Sequence, residues 1–169
     1  MFQQNLAVCY EELGTVVAAE RKLQEALDAY EQSLKIRQTL TGHNKSDLVM
    51  QRELSVGYKK VGDALTAQGD LADALTDYRF AFAISENLAS QDSSNVDWQN
   101  NAAWSRYCIA KTLIRVKDGD RNEAKRLIFE GIDIITRLEH RGTLSSDAQD
   151  TLNKLNELAA AFTSLSSKH

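Results

Sequence analysis

Histidines, glycine loops and paired carboxylates could do metal, phosphate or acid–base chemistry, but their spacing in this chain favours none of these. His43, His140 and His169 lie in or beside polar segments or at the end of the sequence. No two of these histidines have the spacing of two metal ligands on one helix face. Gly69 and Gly119 are isolated, so they form no phosphate-binding loop. We predict that the protein is not an enzyme and uses no metal and no cofactor.

The cysteines and adjacent carboxylates lead to the same prediction. Cys9 and Cys108 lack the spacing of a metal or redox motif, and each falls in a helical pattern. Both are therefore predicted to be buried free thiols, which favours a reducing, cytoplasmic location. Glu11 and Glu12 are neighbours, and on a helix neighbouring side chains point in different directions.

Aromatic and basic residues are the better candidates for chemistry, and that chemistry is binding. Trp104 and Tyr107 are large and amphipathic, as residues that anchor peptide partners often are. The alternative is that one or both pack in the core. Lys59, Lys111 and Arg115 could pair with an acidic group on a partner. The alternative for these three is solvated charge balanced by nearby carboxylates.

Composition limits the classes of partner. The chain has 169 residues, a net charge of −4 and no proline. The mild negative charge argues against a nucleic-acid partner, because such a protein would carry a basic face. No apolar run approaches the roughly 20 residues that span a membrane, and the first residues do not resemble a signal peptide. We predict an all-helical protein that binds neither nucleic acid nor membrane.

A repeated pattern indicates the elements that must position these side chains. Tyr58-x-x-Val61-Gly62-x-x-Leu65 is followed by Ala74-x-x-x-Tyr78. Corresponding sets occur around the small residues Gly14 and Ala110, and the first half of the set recurs around Ala159, so the period is about 48 residues. Fixed self-similarity at such a period is typical of stacked repeats.

Each repeat is predicted to be a pair of helices. In the second repeat we expect a first helix capped near Ser46 and Asp47, and a left-handed Gly69 that ends it. Arg21 stands where the second repeat has Gly69, so we expect a looser or differently shaped turn in the first repeat. The third repeat has two extra residues before Asp120, which we expect to cap the next helix with Glu123. Small residues such as Gly62 are expected to receive a larger side chain from the partner helix.

These residues resemble the tetratricopeptide repeat, whose pattern combines an aromatic residue, Leu-Gly and a later Ala-x-x-x-Phe/Tyr. The period here exceeds the usual one of about 34 residues, and the usual proline is absent. The resemblance implies an all-α, right-handed superhelical stack of antiparallel helix pairs. We predict one domain over residues 1–169, made of repeats at about 1–43, 46–90 and 95–141 and a capping helix at about 146–165.

The resemblance further implies a concave groove lined by the first helix of each repeat, where a protein or peptide would bind. The candidate groove residues are Glu11, Thr15, Lys59, Asp63, Trp104, Tyr107, Lys111, Arg115, Asn153 and Asn156. Relatives that grip the carboxylate of chaperone tails use a set of Lys, Asn and Arg that this sequence does not match. We therefore predict no binding of chaperone tails.

The main functional hypothesis is a scaffold for protein–protein interaction. One alternative is an array that serves a structural or regulatory role inside a larger bacterial signalling protein. The sequence LSVGYKKVGDALTAQGDLADALTDY resembles the repeats of such arrays. A second alternative is a homodimer formed through the N-terminal repeat edge, where Phe2, Leu6 and Tyr10 could lie.

Overall fold

Helices account for the regular structure of residues 2–166, the part of the chain that the computed structural model describes, with side chains as far as residue 164. Within those residues there are seven helices and no strand. They are α1 (Phe2–Ala19), α2 (Leu23–His43), α3 (Leu48–Gln68), α4 (Leu71–Gln91), α5 (Val96–Arg115), α6 (Arg121–His140) and α7 (Ser146–Ser166). Consecutive helices pack as pairs, so the predicted all-α class of a tetratricopeptide-like solenoid is confirmed.

The chain divides into two compact units, Met1–Ile84 and Ser85–His169. The first contains α1, α2, α3 and most of α4. In the second, α5 packs against α6, and α7 packs against both of them. The assignment of residues 1–169 to a single domain stays a prediction.

The recurring glycines of the first unit each receive a tyrosine ring. A Cβ added to Gly14 would lie 2.7 Å from Cε1 of Tyr30, and one added to Gly62 would lie 2.7 Å from Cε1 of Tyr78. Real Cβ atoms do not approach a neighbour so closely. The predicted reason for these glycines is therefore confirmed: the paired helices meet where the first carries no side chain.

The turn of the second repeat has the predicted form. Asp47 caps α3, because one of its carboxylate oxygens accepts hydrogen bonds from the amides of Val49 and Met50. Gly69 ends α3 with a left-handed φ of 97°. The Asp70 amide then donates to the Leu65 carbonyl at 2.9 Å, which closes the helix end.

The turn of the first repeat corrects our expectation. Arg21 adopts the left-handed conformation itself, with φ of 61°. The Lys22 amide donates to the Val17 carbonyl at 3.0 Å, the same bond that Asp70 makes 48 residues later. The turn is thus closed by the same hydrogen bond and is not looser, although an arginine in this conformation is strained by roughly 1 kcal/mol.

The longer third turn ends on the expected cap. Asp120 accepts hydrogen bonds from the amides of Asn122 and Glu123, each at 2.9 Å. The left-handed position of this turn is occupied by Asp118, with φ of 60°.

One prediction about the thiols was wrong. Cys108 is buried, whereas Cys9 is exposed. Cys9 lies on a face of α1 that no helix of its unit covers, which a helical pattern by itself could not indicate.

Candidate partner-binding faces

In the first unit, two of the candidate groove residues are tied to the core tyrosines. The hydroxyl groups of Thr15 and Tyr30 lie 3.2 Å apart, within hydrogen-bond distance. The Tyr78 hydroxyl donates to Oδ1 of Asp63 at 2.6 Å. Thr15 and Asp63 occupy the same position in successive repeats. In each repeat, this position supplies the polar partner that the buried phenol needs.

Glu11 is a partner of a buried arginine that the sequence analysis did not single out. Arg37 on α2 is 5% exposed, and its Nη2 lies 2.5 Å from Oε2 of Glu11 and 3.4 Å from Oε2 of Glu53. Its Nη1 is buried without a hydrogen-bond partner in the described part of the chain. The signal that could have revealed Arg37 is its place on the apolar stripe of α2, seven residues after Tyr30.

A mostly apolar cavity lies beside this arginine. The N-terminal halves of α1 and α3 and the C-terminal end of α2 line it, with Val8, Leu40 and Val49 among the lining residues. Val8 and Val49 are exposed. Lys59, the remaining candidate of this unit, is half-buried on α3.

In the second unit, the candidate aromatic residues form one cluster with two lysines. The rings of Trp104 and Tyr107 are 5.1 Å apart and tilted by 39°. Nζ of Lys111 lies 5.5 Å from the Tyr107 ring, and Nζ of Lys154 on α7 lies 4.6 Å from the Trp104 ring. We call Trp104, Tyr107, Lys111 and Lys154 the aromatic–lysine cluster. The geometry is that of cation–π contacts, which are favourable because an aromatic face is electron-rich.

The sequence analysis identified three members of this cluster and missed Lys154. Lys154 also pairs with Asp150 at 2.5 Å, a contact between successive turns of α7. Tyr107 packs against the buried core of its unit, as the core alternative for it proposed, and its role as an anchor for a partner stays a prediction. Both rings are half-buried, which leaves part of each accessible.

The other candidates of the second unit lie on its surface. Lys111, Arg115, Asn153 and Asn156 are exposed. Oδ1 of Asn153 accepts a hydrogen bond from Nε2 of Gln149 at 3.2 Å.

A second buried arginine, in the second unit, links three helices by hydrogen bonds and ion pairs. Arg106 is 7% exposed and donates to Glu86, Glu130 and the carbonyl of Ala102. Burial lowers the pKa of Arg106, but its hydrogen bonds and charge contacts with the two glutamates outweigh that effect, so the pKa is raised overall. The guanidinium stays charged and structural.

One carboxyl group in the first unit has a raised pKa. The pKa of Asp77 is raised to about 6, first by burial and then by the negative charges of Asp73 and Glu31. Asp77 is half-buried on α4 and belongs to none of the candidate faces.

The described residues contain no group of three His, Cys, Asp or Glu side chains that could hold a metal ion. Over the same part of the chain, no helix combines the length and apolar character needed to cross a membrane. The accessible groups among the candidate residues are aromatic rings, ammonium groups and amides, and partner binding by them stays a prediction.

Comparison with known proteins adds a family to this geometry. Residues 6–46, which include most of α1 and all of α2, match the tetratricopeptide repeat family. No curated protein matches the chain.

Proposed function

The chain is a tetratricopeptide repeat protein, and from that premise we propose that it is a non-enzymatic scaffold that binds a segment of another protein. Repeats of this family generally mediate protein interactions. The observation that carries the proposal is the aromatic–lysine cluster of α5 and α7, where partly accessible rings lie beside two ammonium groups.

The chemistry of the cluster favours a partner that combines an acidic side chain with an apolar or aromatic one. Lys111 is exposed and makes its ring contact at 5.5 Å, so it can turn toward a carboxylate with little loss. The rings of Trp104 and Tyr107 would contact the neighbouring apolar side chain. Half-buried aromatic residues are rigid, which lowers the entropy lost when a partner binds.

The test compares two double variants in affinity capture from the extract of the native host. Tyr107→Ala with Lys111→Glu removes part of the cluster. Lys125→Glu with Phe129→Ala likewise reverses one lysine charge and removes one aromatic ring, on exposed residues of α6 that are also four positions apart. We expect a partner that the wild type and the α6 variant retain and the cluster variant loses. Equal retention by all three proteins would overturn the cluster as the binding site.

A second test uses defined peptides and the fluorescence of Trp104 in a Trp98→Phe background. The probes are two peptides with internal Glu and Phe residues that differ only in C-terminal amidation. We expect both to bind equally, because the groove positions do not match the carboxylate grip used for chaperone tails. Micromolar binding of the free-carboxylate peptide alone, confirmed by calorimetry, would contradict this.

A further inference from the structure

The cavity beside Arg37 has the size of one apolar side chain. Three helices of the first unit supply its apolar wall, through Ala7 and Val8 of α1, Leu40 of α2, and Val49 and Met50 of α3. We call it the Arg37 cavity. Its volume is about 130 Å³. An apolar cavity of about 150 Å³ can hold one benzene molecule, so this space suits a single apolar group.

The cavity opens to solvent at two valines and belongs to the inner side of α1. Val8 is 45% exposed and Val49 is 68% exposed, so both lie at its mouth, whereas Ala7 is buried within. The Ala7 carbonyl accepts a hydrogen bond from the Ser33 hydroxyl of α2 at 2.8 Å. Ala7 and Cys9 are about 200° apart around the helix. The cavity is therefore bounded by the packing of the first unit, on the side of α1 opposite the exposed face of Cys9.

The repeats differ at the position that Arg37 occupies. The corresponding residues are Ser85 and Ile135, which are 1% and 0% exposed. In those repeats the position is filled by a small or an apolar side chain. Replacing a buried ion pair by apolar residues of similar volume is often neutral or stabilising. Packing of the helix pair thus does not require an arginine here, so we ask what else the guanidinium can do.

The guanidinium has one nitrogen that the protein leaves without an acceptor. Nη2 of Arg37 lies 2.5 Å from Oε2 of Glu11 and 3.4 Å from Oε2 of Glu53. Each glutamate has a second basic neighbour, Lys60 at 4.0 Å for Glu11 and Arg52 at 3.0 Å for Glu53. Nη1 is buried without a hydrogen-bond partner in the described residues, which is costly for a charged donor. What this ion-pair network lacks is an acceptor for Nη1.

We propose that the Arg37 cavity holds one leucine-sized side chain of a bound protein segment, and that a main-chain carbonyl beside that side chain accepts a hydrogen bond from Nη1. The inference rests on the proposed function, which supplies the bound segment. A neutral carbonyl suits the site better than a carboxylate does. Arg37 already faces two glutamates, and a carboxylate would lose its hydration against an apolar wall.

Entry of the carbonyl requires a side-chain movement at the wall of the cavity. Nη1 lies beneath the accessible surface, and Met50 and Glu53 are half-buried residues of the wall beside it. Changes of side-chain rotamer are common when a partner binds. Glu53 can turn away from Arg37 and keep its contact with Arg52, because that contact uses its other carboxylate oxygen.

Nuclear magnetic resonance with a minimal probe tests the site in the full chain. The probe is N-acetyl-L-leucine methylamide, which carries an isobutyl group between neutral carbonyls. We expect saturable, millimolar binding that shifts the methyl signals of Val8, Leu40 and Val49 and the guanidinium signals of Arg37. N-acetyl-L-alanine methylamide lacks the isobutyl group and should bind at least about tenfold more weakly. N-acetyl-L-leucine, which ends in a carboxylate, should also bind more weakly.

Two results with these probes would overturn the proposal. If the leucine amide causes no saturable shift at the cavity, the cavity is not a side-chain site and water suffices for Nη1. If the carboxylate probe binds more tightly than the amide, the acceptor is not neutral.

Variants separate the hydrogen bond from the apolar pocket. Arg37→Met removes the donor but keeps an apolar chain, and it should weaken the leucine amide about tenfold. Val49→Glu places a charge at the mouth and should weaken it as well. A glutamate in the first turn of a helix is favoured by the helix dipole, so this variant should fold. Val16→Glu makes the same change on an exposed residue of α1 away from the cavity and should leave binding unchanged.

The variants can each contradict one part of the proposal. Wild-type affinity in a folded Arg37→Met would overturn the hydrogen bond to Nη1. Wild-type affinity in Val49→Glu would overturn the cavity as the binding site, and this result does not depend on the folding of Arg37→Met.

Failure of this inference is distinguishable from failure of the proposed function. If affinity capture retains a partner and the leucine amide does not bind, the cavity proposal alone is overturned. If the leucine amide binds as expected and no partner is captured, the chemistry of the cavity is supported, and the result counts against the scaffold function alone.

Discussion

The two helices of a pair contact each other near the turn that joins them, and the two units fill this contact with different side chains. In the first unit, Gly14 and Gly62 each accept a buried tyrosine ring, whose hydroxyl lies within hydrogen-bond distance of Thr15 or Asp63. In the second unit the corresponding positions hold Ala110 and Ile128, both buried.

The glycine–tyrosine contact and the alanine–isoleucine contact leave different roles to the neighbouring candidate groove position. A buried phenol requires a polar partner, so Thr15 and Asp63 serve the core. An isoleucine requires none, so Lys111 at the equivalent position extends toward the Tyr107 ring at the surface. The candidate residue Lys111 thus lies at a position on which the buried Ile128 makes no demand for a hydrogen bond.

The two buried arginines differ in a related way. Every guanidinium nitrogen of Arg106 donates a hydrogen bond, whereas Nη1 of Arg37 has no partner in the described residues. Removing a fully bonded group should therefore destabilise the fold more than removing a partly bonded one.

The largest expected effect is that of Arg106→Met. It leaves Glu86 without this partner and Glu130 with Arg126 as its remaining ion-pair partner. Loss of one member of a buried ion pair is strongly destabilising. Since both glutamates are partly exposed, we expect a loss of about 3 kcal/mol in the free energy of unfolding, measured by urea denaturation. Arg37→Met should lose only about 1 kcal/mol, because it also removes a buried donor without a partner. Equal losses would contradict the comparison.

The next effect is that of Gly62→Leu, which forces a side chain into the Tyr78 ring. Overpacking of this kind lowers the free energy of unfolding by about 1 to 3 kcal/mol. Gly42→Ala is the control, because an added Cβ there meets nothing within 4 Å. It should change stability by no more than about 0.5 kcal/mol. A melting temperature that Gly62→Leu leaves unchanged would show that the helix contact is not tight.

A smaller effect is expected at the two left-handed turn positions. Arg21→Gly should raise the free energy of unfolding by about 0.5 to 1 kcal/mol, because it relieves the strained φ. Gly69→Ala should lower it by about 1 kcal/mol, because it introduces the same strain. Denaturation of both variants beside the wild type measures the two shifts, and shifts of the same sign would mean that the turns are not equivalent.

A further effect depends on pH. Since the pKa of Asp77 rises from 3.8 to about 6 on folding, the folded state binds this proton more tightly than the unfolded state. Its contribution to stability is fully present below pH 3.8 and is lost as the pH rises through 6. Asp77→Asn should therefore be more stable than the wild type at pH 7, and the difference should shrink as the pH falls toward 4. A difference that is constant across this range would exclude the titration of Asp77 as its cause.

Local rules determined much of this protein directly from its sequence. The caps at Asp47 and Asp120 and the left-handed Gly69 depend on contacts among near neighbours, so the pattern predicted them correctly. The fit of Gly62 to a larger side chain also followed, because only close packing explains a recurrent glycine within a helix.

Tertiary structure decided what depends on residues far apart in the sequence. Helical periodicity places Arg37 on an apolar stripe but cannot supply Glu11 from another helix to neutralise it. Lys154 reaches the Trp104 ring only because α7 packs against α5. Whether Cys9 is buried depends on which helix covers α1, and a periodic pattern specifies that a face is apolar without specifying its neighbour. The sequence thus determined the helices and the contacts near their turns, while the packing of the helices determined which charges are buried and which apolar face stays open.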